Sequence, residues 1–136
     1  MNVPVPDGLV STRSVDGFDA TVGRLIAAIG AKGLTLFADI DHARGAAEVG
    51  LQLRPTRVLI FGNARGGTPL MQARQTVGVD LPLKALVWED ASAVAWVTYE
   101  DPAALARRHG LGTASEPTVH ALAAVLRALT QAAVGG

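Results

Sequence analysis

Lys84–Tyr99 reads KALVWEDASAVAWVTY. Two apolar runs, rich in β-branched and aromatic residues, flank a short break at Asp90, Ala91 and Ser92. The pattern predicts strands over Lys84–Glu89 and Ala93–Tyr99 joined by a tight turn at Asp90–Ser92. The turn lacks the Asn-Gly or Asp-Gly pair of the strongest two-residue hairpins. Strands joined this closely pair antiparallel, which decides the fold class against a purely parallel sheet. Alternation puts Lys84, Leu86 and Trp88 on one face and Leu83, Ala85, Val87 and Glu89 on the other. A lysine within an apolar run is paired, turned outward or functional. Trp88 offers it a cation–π neighbour, and the basic wall of a pocket is the other reading.

Working outward, Leu9–Val15 reads as a first strand, with Ser11 and Arg13 suggesting an edge. Val22, Leu25, Ile26 and Ile29 follow the 3.6-residue period of a helix. Asp19 or Thr21 can cap its start, and Gly33 is placed for a left-handed stop. Leu34–Ile40 is a strand, Asp41 caps a short helix ending near Gly50, and Thr56–Phe61 is a buried strand closed by Gly62. Asp101 and Pro102 open a helix as N-cap and first residue, and Gly110 ends it. The last helix runs over 115–134. Leu122, Val125, Leu126 and Leu129 form its buried stripe, and His120, Arg127 and Gln131 lie opposite. The expectation is one compact α+β domain over residues 1–136, a mainly antiparallel sheet with helices packed on one face. Residues 1–9 form a loose lead-in.

Lysine plus arginine equals aspartate plus glutamate, 12 against 12, so there is no basic footprint for nucleic acid. The absence of cysteine excludes disulfides and thiolate chemistry. The opening MNVPVPDGL has neither the basic nor the apolar region of a secretory signal. No stretch reaches the ~18 consecutive apolar residues of a membrane span. A cytoplasmic protein is expected, binding neither membrane nor nucleic acid.

Phe61–Met71, FGNARGGTPLM, has the glycine spacing of a phosphate loop but no lysine where one needs it, and no dinucleotide motif is present. The residues predict a strand-exit loop. Gly66 and Gly67 would supply positive φ, Pro69 would start a short helix to Ala73, and Asn63 would bond its own backbone. Such a turn can also form an anion-binding nest. Asp39, Asp41 and His42 are a weak metal set, since Asp39 and Asp41 share one face of an extended strand and His42 takes the other. His109, just before Gly110, suits a helix C-terminus, and His120 suits a solvated face. No serine lies in a nucleophile motif.

The segments ADIDHARGAAEVGLQLRPTRVLIFGN, GTPLMQA, VDLPLKALVWED and VTYEDPAALARRHGL, which fall between Ala38 and Leu111 within an expected family core of residues 21–111, resemble the bacterial and archaeal family called domain of unknown function 302. The resemblance implies a curved antiparallel sheet with helices against it, a homodimer, and no established activity. The matching positions are Asp41, His42, Asn63, Gly67, Thr68, Pro69, Met71, Lys84 and His109. Ala64, Arg65 and Gly66 depart from the pattern after F-G-N. The QARQTVG segment lacks the family's Asn-Pro pair, and the turn at Asp90–Ala93 lacks its glycine.

Three functions follow. Asp41, His42, Asn63, Gly67, Thr68 and Lys84, from segments near strand ends, would bind a small anionic molecule or ion. His42 would alternatively act as a general acid–base, with Lys84 and the loop N–H groups stabilising an oxyanion. The third reading is a structural homodimer module. No motif names a cofactor.

Overall fold

A computed structural model describes residues 2–3 and 8–135. The strands are β1 (Asn2–Val3), β2 (Leu9–Arg13), β3 (Thr35–Asp41), β4 (Thr56–Gly62), β5 (Leu83–Glu89) and β6 (Ala95–Glu100). They form one antiparallel sheet in the order β1-β2-β6-β5-β4-β3. The helices are α1 (Phe18–Ala31), α2 (His42–Glu48), α3 (Ala64–Ala73), α4 (Pro102–His109) and α5 (Glu116–Val134). The α+β class and the antiparallel sheet are as the hairpin requires.

Alternation sorts the sheet into two faces. Leu59, Phe61, Ala85, Val87, Val97 and Tyr99 meet Val22, Leu25 and Ile29 of α1 and Leu126 and Leu129 of α5 in the main core. The period of α1 and α5 supplies these contacts, as the sequence predicts. A smaller cluster of Leu70, Val77, Leu105 and Val119 ties α3, α4 and α5 to the 3-10 helix Gln75–Asp80. Lys84, Leu86 and Trp88 lie on the opposite, open face, in the alternation read from the sequence.

The hairpin turn is longer than expected, with β6 beginning at Ala95. Asp90 organises it. Its carboxylate accepts from the backbone N–H groups of Ser92 and Val94 and from the Trp96 indole N–H at 2.9 Å. Ala93 takes the positive φ of 63° that a glycine would otherwise provide. Trp88 and Trp96 pair across the strands and stack with centroids 6.0 Å apart.

Several local expectations are corrected. β2 is not an edge: β1 lies outside it, and buried Ser11 shares a 2.6 Å hydrogen bond with Thr98. Asn2 and Val3 belong to the sheet, while residues 1 and 4–7 of the predicted lead-in lie outside the described residues. α1 begins after Gly17, ahead of both proposed caps, and Thr21 instead donates its hydroxyl hydrogen to the Gly17 carbonyl. Asp41 and Asp101 do cap α2 and α4, accepting from Arg44 N–H and Ala103 N–H. Gly33 and Gly110 take the left-handed stops, with φ of 71° and 64°.

Leu25 has no exposure, whereas Leu51 is 65% exposed in the connection before β4. Leu25→Ala is expected to lower unfolding stability by about 2–5 kcal/mol, through lost burial and the cavity left behind. Leu51→Ala should stay within about 0.5 kcal/mol. Urea denaturation of both variants checks the pair.

Candidate functional site

The glycine-rich stretch folds differently from its expected loop. α3 starts at Ala64, because Asn63 accepts the Gly66 N–H on its side-chain oxygen at 2.8 Å and serves as N-cap. Gly66 and Gly67 are therefore helical, without positive φ, and Pro69 lies inside the helix rather than at its start. The nest reading fails with the turn it needed. The glycines serve close packing instead. A Cβ at Gly67 would sit 3.2 Å from Leu81 Cδ1, and one at Gly66 would sit 3.4 Å from Leu122 Cδ2. Asn63, Gly66 and Gly67 border an apolar cavity of about 430 Å³ between α3 and α5, walled by Phe37, Leu122 and Val125. Thr68 is exposed on α3 and lines no described cavity.

The six residues of the expected composite site do not converge. Thr35 pairs with Gly62 and Asp41 with Arg57, so Asn63 and His42 leave opposite ends of the β3–β4 pair. Seven-residue strands separate those ends by about 20 Å. Lys84 pairs with Ile60, near the Asn63 end but on the open face. The acid–base reading thereby loses the contact between His42 and Lys84 on which it depends. Asp39 is held by Arg57 in an ion pair, and Asp41 caps α2. Among the described residues no three His, Cys, Asp or Glu side chains gather to hold a metal.

Lys84 instead borders a second cavity, of about 340 Å³. The β5–β6 ladder ends at Ala85↔Tyr99, one pair short of Lys84 and Glu100. Beyond that pair the strands leave a gap walled by Leu9, Val58 and Leu86 on one side and by Pro102 and Leu105 of α4 on the other. Lys84 is the one cation among the lining residues and has no ion-pair partner among the described residues. Tyr99 also lines the gap. Burial, then the negative charge of Asp101, raises the pKa of its phenol and keeps it a donor.

A charged clamp holds the gap's outer end. Arg108 of α4 pairs with Asp80 at 2.9 Å and with Glu100, both of which line the cavity. Those two carboxylates raise the Arg108 pKa, Glu100 more than Asp80. His109 does not turn back to its own helix end. Its ring is 9% exposed, with Nε2 2.6 Å from Asp80 and Nδ1 3.2 Å from the Thr76 hydroxyl. Asp80, Tyr99, Glu100 and Arg108 were not singled out from the sequence. Only the hairpin register, extended outward from the two tryptophans, places Glu100 across from Lys84.

The Asp80 pKa is lowered, first by the hydrogen bond from His109; burial opposes this and Arg108 adds to it. The ionised carboxylate favours the fold, so its contribution is complete above about pH 4 and is lost as acid protonates the folded form. Asp80→Asn should lower the urea midpoint at neutral pH and flatten the loss of stability below about pH 4. Equilibrium unfolding across the acid range, beside the unsubstituted chain, measures both effects.

The model of the family described as Domain of unknown function DUF302 matches residues 10–129. Two curated proteins, each named Fluoride-specific ion channel FluC 1, come from Brucella suis biovar 1 (strain 1330) and Brucella abortus biovar 1 (strain 9-941). Each is 42% identical to this chain over 131 residues. The alignments cover 96% of this chain but only 52% and 48% of those proteins, so the chain spans about half the length of the curated relatives it matches. A crystal structure of an uncharacterized conserved DUF302 protein from Bacillus stearothermophilus superimposes with a TM-score of 0.83. It covers 93% of this chain and 98% of that one at 17% identity, a likeness of fold. With the family model spanning β2 to most of α5, this chain belongs to the family of domains of unknown function DUF302.

Proposed function

We propose that this domain binds a small organic anion in the gap between β5 and β6, with Lys84 as its counter-ion. The observation that carries the reading is the ammonium of Lys84 at the lip of the gap, without an ion-pair partner among the described residues. Val58, Leu86 and Leu9 favour a ligand with an apolar body beside its charge. The gap's volume of about 340 Å³ falls within the range of small-ligand pockets, roughly 300–1,000 Å³. Binding is favoured over turnover because His42 leaves the other end of the sheet. No helix among the described residues is long and apolar enough to cross a membrane.

The curated relatives' name brings a second reading, in which the anion is fluoride. A small, strongly hydrated anion needs several donors at once to replace its water. The gap is mostly apolar, so a carboxylate fits it better. Calorimetric titration with hexanoate, benzoate and sodium fluoride separates the two readings. The carboxylates are expected to bind, and Lys84→Met should weaken them about tenfold or more by removing a charge-assisted hydrogen bond. Equal affinity with and without the lysine would sink the organic-anion reading.

The partner in this reading is a second copy, seated on the open face. Ile40 and Leu9 are 43% and 38% exposed there, beside half-buried Val58, Ile60 and Leu86. A two-fold contact buries the same patch on both copies. Sedimentation equilibrium at micromolar concentration should give a dimer, and Ile60→Glu should shift it to monomer. A monomeric unsubstituted chain would remove the partner.

A further inference from the structure

We infer that the apolar cavity between α3 and α5 is a second ligand site, which takes a neutral, largely apolar small molecule with Phe37 as its outer wall. Leu83 is the one lining residue it has in common with the gap at Lys84, and the inference does not rest on that gap's reading.

The lining chooses the occupant. Among the described residues no charged side chain borders the cavity, and Asn63 is its one polar side chain. The Asn63 oxygen is already taken by the Gly66 N–H at 2.8 Å. An ion entering would lose its water with no opposite charge to replace it. A neutral apolar body has no such loss and gains by burial. The volume of about 430 Å³ lies within the range of small-ligand pockets.

The sheet departs from regular pairing at this cavity. Leu36 pairs with Phe61 and Ala38 with Ile60, so Phe37 is the extra residue of a bulge in β3. Leu36 packs on the main core, and plain alternation would send Phe37 to the open face. The bulge instead leaves its ring on the cavity, where Leu122 and Val125 of α5 form the facing wall. Phe37 is 55% exposed, so core packing does not account for its place. An aromatic ring at the mouth offers a second ring a stacked or edge-on partner.

The deeper wall is adaptable. Met71 borders the cavity beside Gly67 and Gly78. A Cβ at Gly78 would sit 3.2 Å from the Met71 Sδ, and one at Gly67 would sit 3.9 Å from its Cε. The two glycines give the thioether its room, and a flexible methionine can repack around ligands of different outline.

Calorimetric titration with 2-naphthol, uncharged at neutral pH, and with 2-naphthoate tests the site. The intact chain should bind 2-naphthol. Phe37→Ala should weaken that binding about three- to tenfold, the worth of a ring pair beyond simple burial. Ala121, exposed on α5, also lines the cavity, and Ala121→Trp should weaken binding at least as much by covering the mouth. Both positions are exposed, so the two variants should keep the melting temperature of the unsubstituted chain. Lys84→Met should leave the 2-naphthol affinity unchanged. In that variant, where the gap has lost its cation, 2-naphthol should bind about tenfold or more tighter than 2-naphthoate. Absence of 2-naphthol binding, indifference to both Phe37→Ala and Ala121→Trp, or loss on Lys84→Met overturns the inference. Equal or tighter binding of 2-naphthoate in the Lys84→Met chain overturns it too. An affinity for 2-naphthol that falls as rising protein concentration drives self-association would place a second copy in the cavity, which also overturns it.

Discussion

The stacked pair Trp88–Trp96 fixes the register on which the positions around the gap depend. A one-residue slip between β5 and β6 would move every side chain of one strand to the other face. It would send Val97 and Tyr99 out of the core and bring Thr98 into it. The pair is secured at both ends: Trp96 donates to Asp90 in the turn and Trp88 donates to Thr98 on the neighbouring strand. The hydrogen bond from Trp96, then that from Val94 N–H, lowers the Asp90 pKa and keeps it an acceptor for the turn. A residue outside the glycine-rich motif thus organises the hairpin that positions Lys84.

The same hairpin opens where those constraints end. Ala85 and Tyr99 are the last paired residues, and beyond them each strand follows another neighbour: Lys84 stays against Ile60 of β4, and Glu100 against Leu9 of β2. The clamp of Arg108 on Glu100 and Asp80, with His109 behind it, draws β6 and the approach to β5 toward α4. These contacts lie near the surface and are individually weak, but they share Asp80 and Arg108 and so act as one network. The core beneath is built of buried apolar side chains. The gap owes its shape to divergence above a rigid floor.

The sequence showed the fold more clearly than the site because burial has a period and convergence does not. Val22, Leu25 and Ile29 announced α1, alternation sorted β5, and Asp41 and Asp101 announced their caps. The glycine-rich stretch misled because Gly66 and Gly67 carry two signals. Glycine marks turns through its access to positive φ, but it also marks close approach where a Cβ would collide. Leu81 and Leu122 decide between these meanings, and both are distant in sequence. His109 misled for a similar reason. Its place at a helix end suggested the dipole, while the ring turned to Asp80, a partner brought near only by tertiary packing. The composite site failed because segments that each end near a strand end need not share the same end.

Four of the nine motif positions, Asn63, Gly67, Met71 and Lys84, border the two cavities. Asn63 and Gly67 border the apolar one, and Lys84 the charged one, with Leu83 lining both. Leu83 leads β5 and pairs with Phe61 at the floor of the core, so this common wall is anchored on its buried side. On its outer side it follows directly from the 3-10 helix that Asp80 ties to α4. The glycines of α3 and the charges of α4 therefore support one short stretch, Asp80–Lys84, from opposite sides. That arrangement gathers Asn63, Gly67, Lys84 and His109 around one strand entry, while Asp41 and His42 lie at the other end of the β3–β4 pair. Asn63 and Gly67 on one flank and His109 on the other support the strand entry that presents Lys84.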